Sequence, residues 1–188
     1  MTWLFGDERW VPVTDAQSNE GMARETLLGP IGAPEASVLS WNAGAGDPVE
    51  CARRFAAAVQ REAGEPDLLF LGMGADGHTA SLFPDGVAHL SDGGEAPVSS
   101  DLPGFAAAVS SAAAGGWRLT LTPRALRASR AVAFVVDGAA KAAAFARVRS
   151  EDPATPAAWI RCPETIYLVT RNVLGPESAE YGKDIRHA

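Results

Sequence analysis

At 188 residues the chain has the length of a single domain, able to bury roughly 70% of its unfolded surface without a disulfide or metal staple. Its net charge of −7 argues against a nucleic-acid surface, and no apolar run approaches the roughly 18 residues of a membrane span. Cys51 and Cys162 lie far apart, with no C-x-x-C and no adjacent histidine, so they read as reduced structural thiols in a soluble, cytoplasmic protein.

The first apolar run, Thr2–Gly6, reads as a short strand, and three charges, Asp7-Glu8-Arg9, follow at its carboxyl end. Such a run is either a solvated turn or one edge of a site. Ser18-Asn19-Glu20 caps a helix through Met22, Ala23, Leu27 and Leu28 that stops at Gly29-Pro30. Ser37–Trp41 fits a short strand. Asp47-Pro48 opens the clearest helix, with proline at its first position; Cys51, Phe55, Ala58 and Val59 keep helical spacing and Gly64 ends it. Leu68–Leu71 is continuous and apolar, as in a strand buried on both faces.

From Asp85 to Pro103 the composition turns to Gly, Ser, Asp and Pro, which predicts a long surface loop carrying a solvated His89. The alanine clusters at 106–108, 112–114 and 142–144 read as compositional bias. Trp117–Thr122 alternates as a strand does, and Pro123 opens a short helix. Ala131–Val136 is a further buried strand, ending at Asp137-Gly138; a helix with Lys141, Phe145 and Val148 follows. Thr165–Thr170 is the last strand. The polar tail Arg171–Ala188 has little to bury, and His187 within it is inert. Strands alternating with helices predict one α/β domain over residues 1–188, a three-layer α/β/α sandwich on a mainly parallel, Rossmann-like sheet.

Chemistry concentrates in one loop. After Leu71 come Gly72, Gly74 and Gly77, with Asp76 and His78 among them, where ligands sit in a parallel α/β sheet, at the strands' carboxyl ends. The three glycines spell G-x-G-x-x-G, but a dinucleotide site needs a helix opening on the third glycine. Pro84 and the glycines beyond it exclude one, so no nicotinamide or flavin cofactor is expected. Lys141 falls in the first turn of its helix, against the helix dipole; an anion bound there resolves the conflict. Neither a G-x-S-x-G elbow nor a metal-ligand set is present, so a covalent serine and a zinc mechanism are both disfavoured.

Three motifs carry a family resemblance. They are Phe5-Gly6-Asp7-Glu8-Arg9-Trp10-Val11-Pro12 with Ser18-Asn19 and Met22–Glu25; Leu71 to Pro84, with Gly-Ala-Asp-Gly-His-Thr-Ala-Ser-Leu-Phe-Pro at its centre; and Arg118–Thr122 with Gly138–Ala142. Together they resemble the 6-phosphogluconolactonases and, more distantly, the glucosamine-6-phosphate deaminases of the same superfamily, across about residues 2–150. Thr79–Pro84 favours the lactonase branch. The family's usual opening strand and glycine- and serine-rich phosphate turn are missing, and Val169-Thr170-Arg171-Asn172 replaces an expected aromatic-rich strand ending in an acid.

The resemblance implies hydrolysis of 6-phosphogluconolactone, a sugar-phosphate lactone, to 6-phosphogluconate in the pentose phosphate pathway. His78 would be the general base and Asp76 its orienting carboxylate. Arg9 and Lys141 would hold the phosphate, with Arg118, Asp7, Asn19 and the backbone at Gly72 and Gly74 as further substrate contacts. No cofactor, metal, nucleic acid or membrane is implied. Two alternatives stay open: a deaminase/isomerase using Asp7 as a proton shuttle, and a shortened, inactive phosphosugar-binding homologue. Without the opening strand, a homo-oligomer is expected.

Overall fold

The computed structural model describes residues 1–90 and 92–174. Their strands form three sheets. Strand β1 (Trp3–Leu4) pairs in parallel with β3 (Val38–Leu39). The parallel strands β4 (Leu68–Leu71), β9 (Ala131–Val136) and β10 (Glu164–Val169) make a second sheet, ordered β10-β9-β4. The largest sheet is antiparallel, in the order β2-β8-β7-β5-β6. It is built from β2 (Asp7–Arg9), β5 (Val87–His89), β6 (Glu95–Pro97), β7 (Ala106–Ser110) and β8 (Arg118–Leu121). The fold is therefore α/β with mixed sheets, and the mainly parallel sheet expected from the sequence is corrected.

Helix α1 (Asn19–Ala23) runs on into a wider turn over Arg24–Leu28, and Ser18 caps it by accepting from the Gly21 amide. In α2 (Pro48–Glu62), Asp47 caps the Glu50 amide, and Cys51, Ala52, Phe55 and Val59 form the buried stripe. That stripe packs on β7 and β8, with Phe55 stacked on Trp41 at 3.6 Å between ring centroids. Thr122 caps α3 (Pro123–Arg127). Helix α4 (Ala142–Arg149) covers one face of the parallel sheet, where the Phe145 ring meets Tyr167 edge-on and Tyr167 stacks on Phe134. The short α5 (Arg171–Leu174) closes the described chain.

Five sequence expectations change. Residues 85–103 hold β5 and β6 rather than one long loop, and β7 is built from an alanine cluster that has almost no side-chain signal of its own. His89 is part-buried: its Nε2 lies 2.9 Å from Ser110 Oγ, its Nδ1 3.2 Å from Glu95 Oε1, and its ring packs on Trp117. At the start of the tail expected to bury little, Val173 is buried, whereas residues 175–188, including His187, lie outside the described residues. Finally, β4 is buried on one face only. Leu69 and Leu71 point into the core, while Leu68 and Phe70 are 50% and 68% exposed, alongside exposed Val135, Ile166 and Leu168. Parallel strands ordinarily bury both faces, so this apolar face is unusual. Among the described residues no helix is long and apolar enough to cross a membrane.

Candidate active site

The site forms where β2, the β4–β5 loop, β8 and the start of α4 converge on one cleft of about 550 Å³. Asp7, Arg9, Asn19, Gly72, Gly74, His78, Arg118 and Lys141 all line it. Residues distant in sequence are thus brought together. Asp76 stands one step behind, against the His78 ring.

The loop after β4 is held by its own backbone. Gly74 donates to the His78 carbonyl and Gly77 to the Gly74 carbonyl, while Thr79 Oγ1 donates to the Gly72 carbonyl. One carboxylate oxygen of Asp76, Oδ1, receives the His78 amide at 3.1 Å and lies 2.7 Å from ring Nδ1. That pairing directs the other ring nitrogen, Nε2, away from Asp76. The Phe83 ring, 4.6 Å from the imidazole centroid, backs it. Gly74 is required here: a Cβ would fall 2.2 Å from His78 Nδ1 and 2.4 Å from Asp76 Oδ1. Burial by itself would raise the Asp76 carboxyl, but the bonds from the His78 backbone and ring, with the ring's charge, hold it below the ordinary value.

Alternation along β2 sorts the Asp7-Glu8-Arg9 run. Asp7 and Arg9 reach the cleft, while Glu8, 1% exposed, turns into the core. Its carboxylate accepts from the amides of Arg9, Asn19 and Glu20 and from Ser18 Oγ, at 2.7–3.0 Å. This fixes the start of α1, so that Asn19 Nδ2 donates to the Asp7 carbonyl and to Asp7 Oδ1. Ser81 Oγ donates to the other Asp7 oxygen at 2.6 Å. Burial, the dominant influence, pushes the Asp7 carboxyl up, against lowering by Ser81 and Arg9. The solvated-turn reading of this run is therefore overturned.

Glu8 and Ser81 were missed as site residues in the sequence. Strand alternation predicts the inward turn of Glu8 once Asp7–Arg9 is read as a strand. The contact of Ser81 with Asp7 spans 74 positions and has no local signal.

The far wall is cationic. Arg9 Nη1 donates to the Gln17 carbonyl, and Arg118 donates to the Trp117 and Ala114 carbonyls. Burial first, and then Arg9 nearby, pushes the Arg118 guanidinium down. Lys141 stands at the cap position of α4, after Gly138 with its φ of 101°. Among the described residues none of the three cations forms a salt bridge to a carboxylate. No cluster of three or more His, Cys, Asp or Glu suited to a metal occurs among the described residues. Both cysteines are free thiols.

Fold and cleft together define an α/β protein with an acid–histidine pair at a strand end, sharing its cleft with a cationic wall. The chain belongs to the glucosamine-6-phosphate isomerase/6-phosphogluconolactonase family, whose model matches residues 1–168. It is 36% identical to human 6-phosphogluconolactonase over 171 residues, covering 82% of this chain and 58% of that protein. The Synechocystis 6-phosphogluconolactonase is 36% identical over 152 residues, covering 77% of this chain and 58% of the relative. The chain therefore spans under two thirds of the length of these relatives. Among solved structures, Thermotoga maritima 6-phosphogluconolactonase superposes with a TM-score of 0.75 at 24% identity, over 89% of this chain and 72% of that one. A monomeric glucosamine-6-phosphate deaminase superposes with a TM-score of 0.69 at 17% identity, over 92% and 73%. At these identities the two structures speak to the fold alone.

Proposed function

We propose that this chain hydrolyses the ring ester of 6-phosphogluconolactone to 6-phosphogluconate. The observation that carries the reading is the Asp76–His78 pair, 2.7 Å apart, in one cleft with Arg9, Arg118 and Lys141. The lactonase names of the relatives support it.

In this mechanism His78 Nε2 takes a proton from water as the water oxygen attacks the lactone carbonyl carbon. Asp76, kept ionised by its lowered pKa, holds Nδ1–H and stabilises the imidazolium that forms. The imidazolium then returns its proton to the ring oxygen as the ester C–O bond breaks. The new carboxylic acid loses a proton to solvent, so each turnover releases one proton. A positioned base contributes ~10²–10⁴-fold. Arg9, Arg118 and Lys141 take the phosphate, and binding energy remote from the reacting carbon orients the carbonyl. Asp7, braced by Asn19 and Ser81, faces the sugar hydroxyls, and Gly72 and Gly74 let the substrate approach the backbone. No cofactor takes part in this scheme.

Proton release in a pH-stat tests the reading. Turnover of 6-phosphogluconolactone above the spontaneous rate, with a clear preference over the unphosphorylated lactone, is expected; a rate equal to spontaneous opening overturns it. One observation favours a second reading. Asp7, with its raised pKa in the same cleft, is an acid able to carry a proton between sugar carbons, and ammonia release from glucosamine 6-phosphate would establish the deaminase instead. Phosphosugar binding without either turnover would establish the inactive homologue.

The three-layer sandwich and a homo-oligomeric state belong to the same proposal. Helix α4 supplies one outer layer of the parallel sheet, and the exposed face of Leu68, Phe70, Val135, Ile166 and Leu168 is where another would rest. A cytoplasmic location suits a soluble sugar-phosphate substrate.

A further inference from the structure

The loop that carries His78 is gripped from outside as well as from within. Its two outward carbonyls, Asp76 O and Gly77 O, belong to the peptide units leading into His78. Each receives a hydrogen bond from the far side of the loop, one from α4 and one from the segment that follows it. Arg147 Nη2 donates to Asp76 O at 2.9 Å, across 71 positions of sequence, and the Ala157 amide donates to Gly77 O at 3.0 Å.

Arg147 is itself aimed. Its Nε donates to Thr155 Oγ1 at 3.2 Å, and Thr155 Oγ1 donates onward to Asp152 Oδ2, which lies 3.8 Å from Arg147 Nε. Thr155 is 1% exposed and sits against Gly77, where a Cβ would come within 2.7 Å of its methyl. Gly77 has φ of 95°, a left-handed conformation that side chains resist. Gly77 is thus fixed both by its own torsion and by the segment behind it.

The catalytic pair depends on this backbone. Asp76 Oδ1 bonds both the amide and the ring of His78, so a rotation of the 76–77 peptide moves the carboxylate and the imidazole together. Among the described residues, Arg147 provides the hydrogen bond that Asp76 O receives, and no other reaches it. Resting on the reading of His78 as the base, we propose that Arg147, held by Thr155 and Asp152, is a positioning residue that sets the orientation of the Asp76–His78 pair. It does not line the cleft and touches no substrate. Its guanidinium suits the task because a planar fork can serve two acceptors at fixed angles, which a lysine ammonium does not reproduce.

The test compares Arg147→Ala, Arg147→Lys and the parent chain, each checked for folding by circular dichroism. In Arg147→Ala, kcat for 6-phosphogluconolactone falls about 10- to 100-fold, the range for a small misplacement of a catalytic group, while KM is unchanged. Added guanidinium ion restores much of the loss, and Arg147→Lys restores little. A role in global stability alone would leave kcat per folded molecule unmoved and give no rescue. Amide hydrogen exchange supplies an arm that does not require activity. The His78 and Ala157 amides exchange faster in Arg147→Ala, while those of β9 keep their protection. Unchanged exchange at His78 and Ala157, or an unchanged kcat in an active parent, overturns the proposal. If the parent shows no lactonase turnover, the hydrolase reading fails, and the exchange measurement alone decides whether Arg147 orders the loop.

Discussion

Arg9 on β2 lies directly opposite Arg118 on β8 in the antiparallel register, and both line the cleft that holds His78. Like charges opposite one another on neighbouring strands destabilise the pair. Two arginines there, with Lys141 on the same cleft, are a repulsion that a bound anion would offset, as the proposed phosphate role requires.

The proposed phosphate role of this wall is therefore expected to show in both binding and salt dependence. Arg9→Ala, Arg118→Ala and Lys141→Ala each weaken 6-phosphogluconate binding by about 1.5–3 kcal/mol, the range for a charged hydrogen bond, and leave gluconate binding nearly unchanged. Calorimetry with both ligands checks this; equal losses for the two remove the phosphate role. In ligand-free protein, added salt screens the arginine pair, so it stabilises the parent chain more than Arg118→Ala.

His78→Asn keeps a side chain of similar size but removes the proposed base. Lactone hydrolysis drops by at least about 100-fold, while the circular dichroism spectrum is retained. A folded variant with near-parental turnover would show that another group takes the proton.

The Asp76 carboxyl carries a pH signature. Its folded pKa lies below the ordinary 3.8, so the folded state binds its proton less readily than the unfolded chain does. The stability it contributes is present above about pH 4 and is lost as pH falls through the folded value. The stability gap between the parent and Asp76→Asn, followed by urea denaturation, therefore narrows below pH 4. A gap that widens on acidification contradicts the assignment.

Gly74→Ala places a methyl group against the His78 ring and the Asp76 carboxylate, at 2.2 and 2.4 Å before any relaxation. The pair must shift, and turnover is expected to fall with only a modest change in phosphate affinity, since the cationic wall is untouched. Kinetics alongside phosphate titration separate the two effects.

The exposed apolar face and the outer edge of β4, unpaired among the described residues, favour association of two copies. Phe70→Glu with Leu168→Glu is expected to lower the sedimentation coefficient at high protein concentration. A parent chain that sediments as a monomer throughout excludes this interface.

The reading along the chain succeeded where information is local. Asp47-Pro48 announces α2 because a capping carboxylate and a proline act on their own neighbours. The glycines around Asp76 and His78 announce a tight loop at the end of β4 because only a backbone relieved of side chains folds so closely around an imidazole. The cleft cations Arg9 and Lys141 stand at strand and helix ends, which are legible from periodicity.

What sequence could not supply depends on partners far along the chain. Strand β7 is mostly alanine and exists because β5 and β8 offer it hydrogen bonds. The burial of Leu69 but not Phe70 depends on which sheet face receives a covering layer, a property of packing rather than of the four-residue run. Ser81 on Asp7 and Arg147 on Asp76 are bonds across 74 and 71 positions. Neither serine nor arginine betrays such a role by its neighbours, because a hydrogen bond is set by distance and angle in space. The sequence by itself thus determined the chemistry available at the strand end, and the tertiary structure decided how that chemistry is held, since orientation comes from groups that only folding brings within reach.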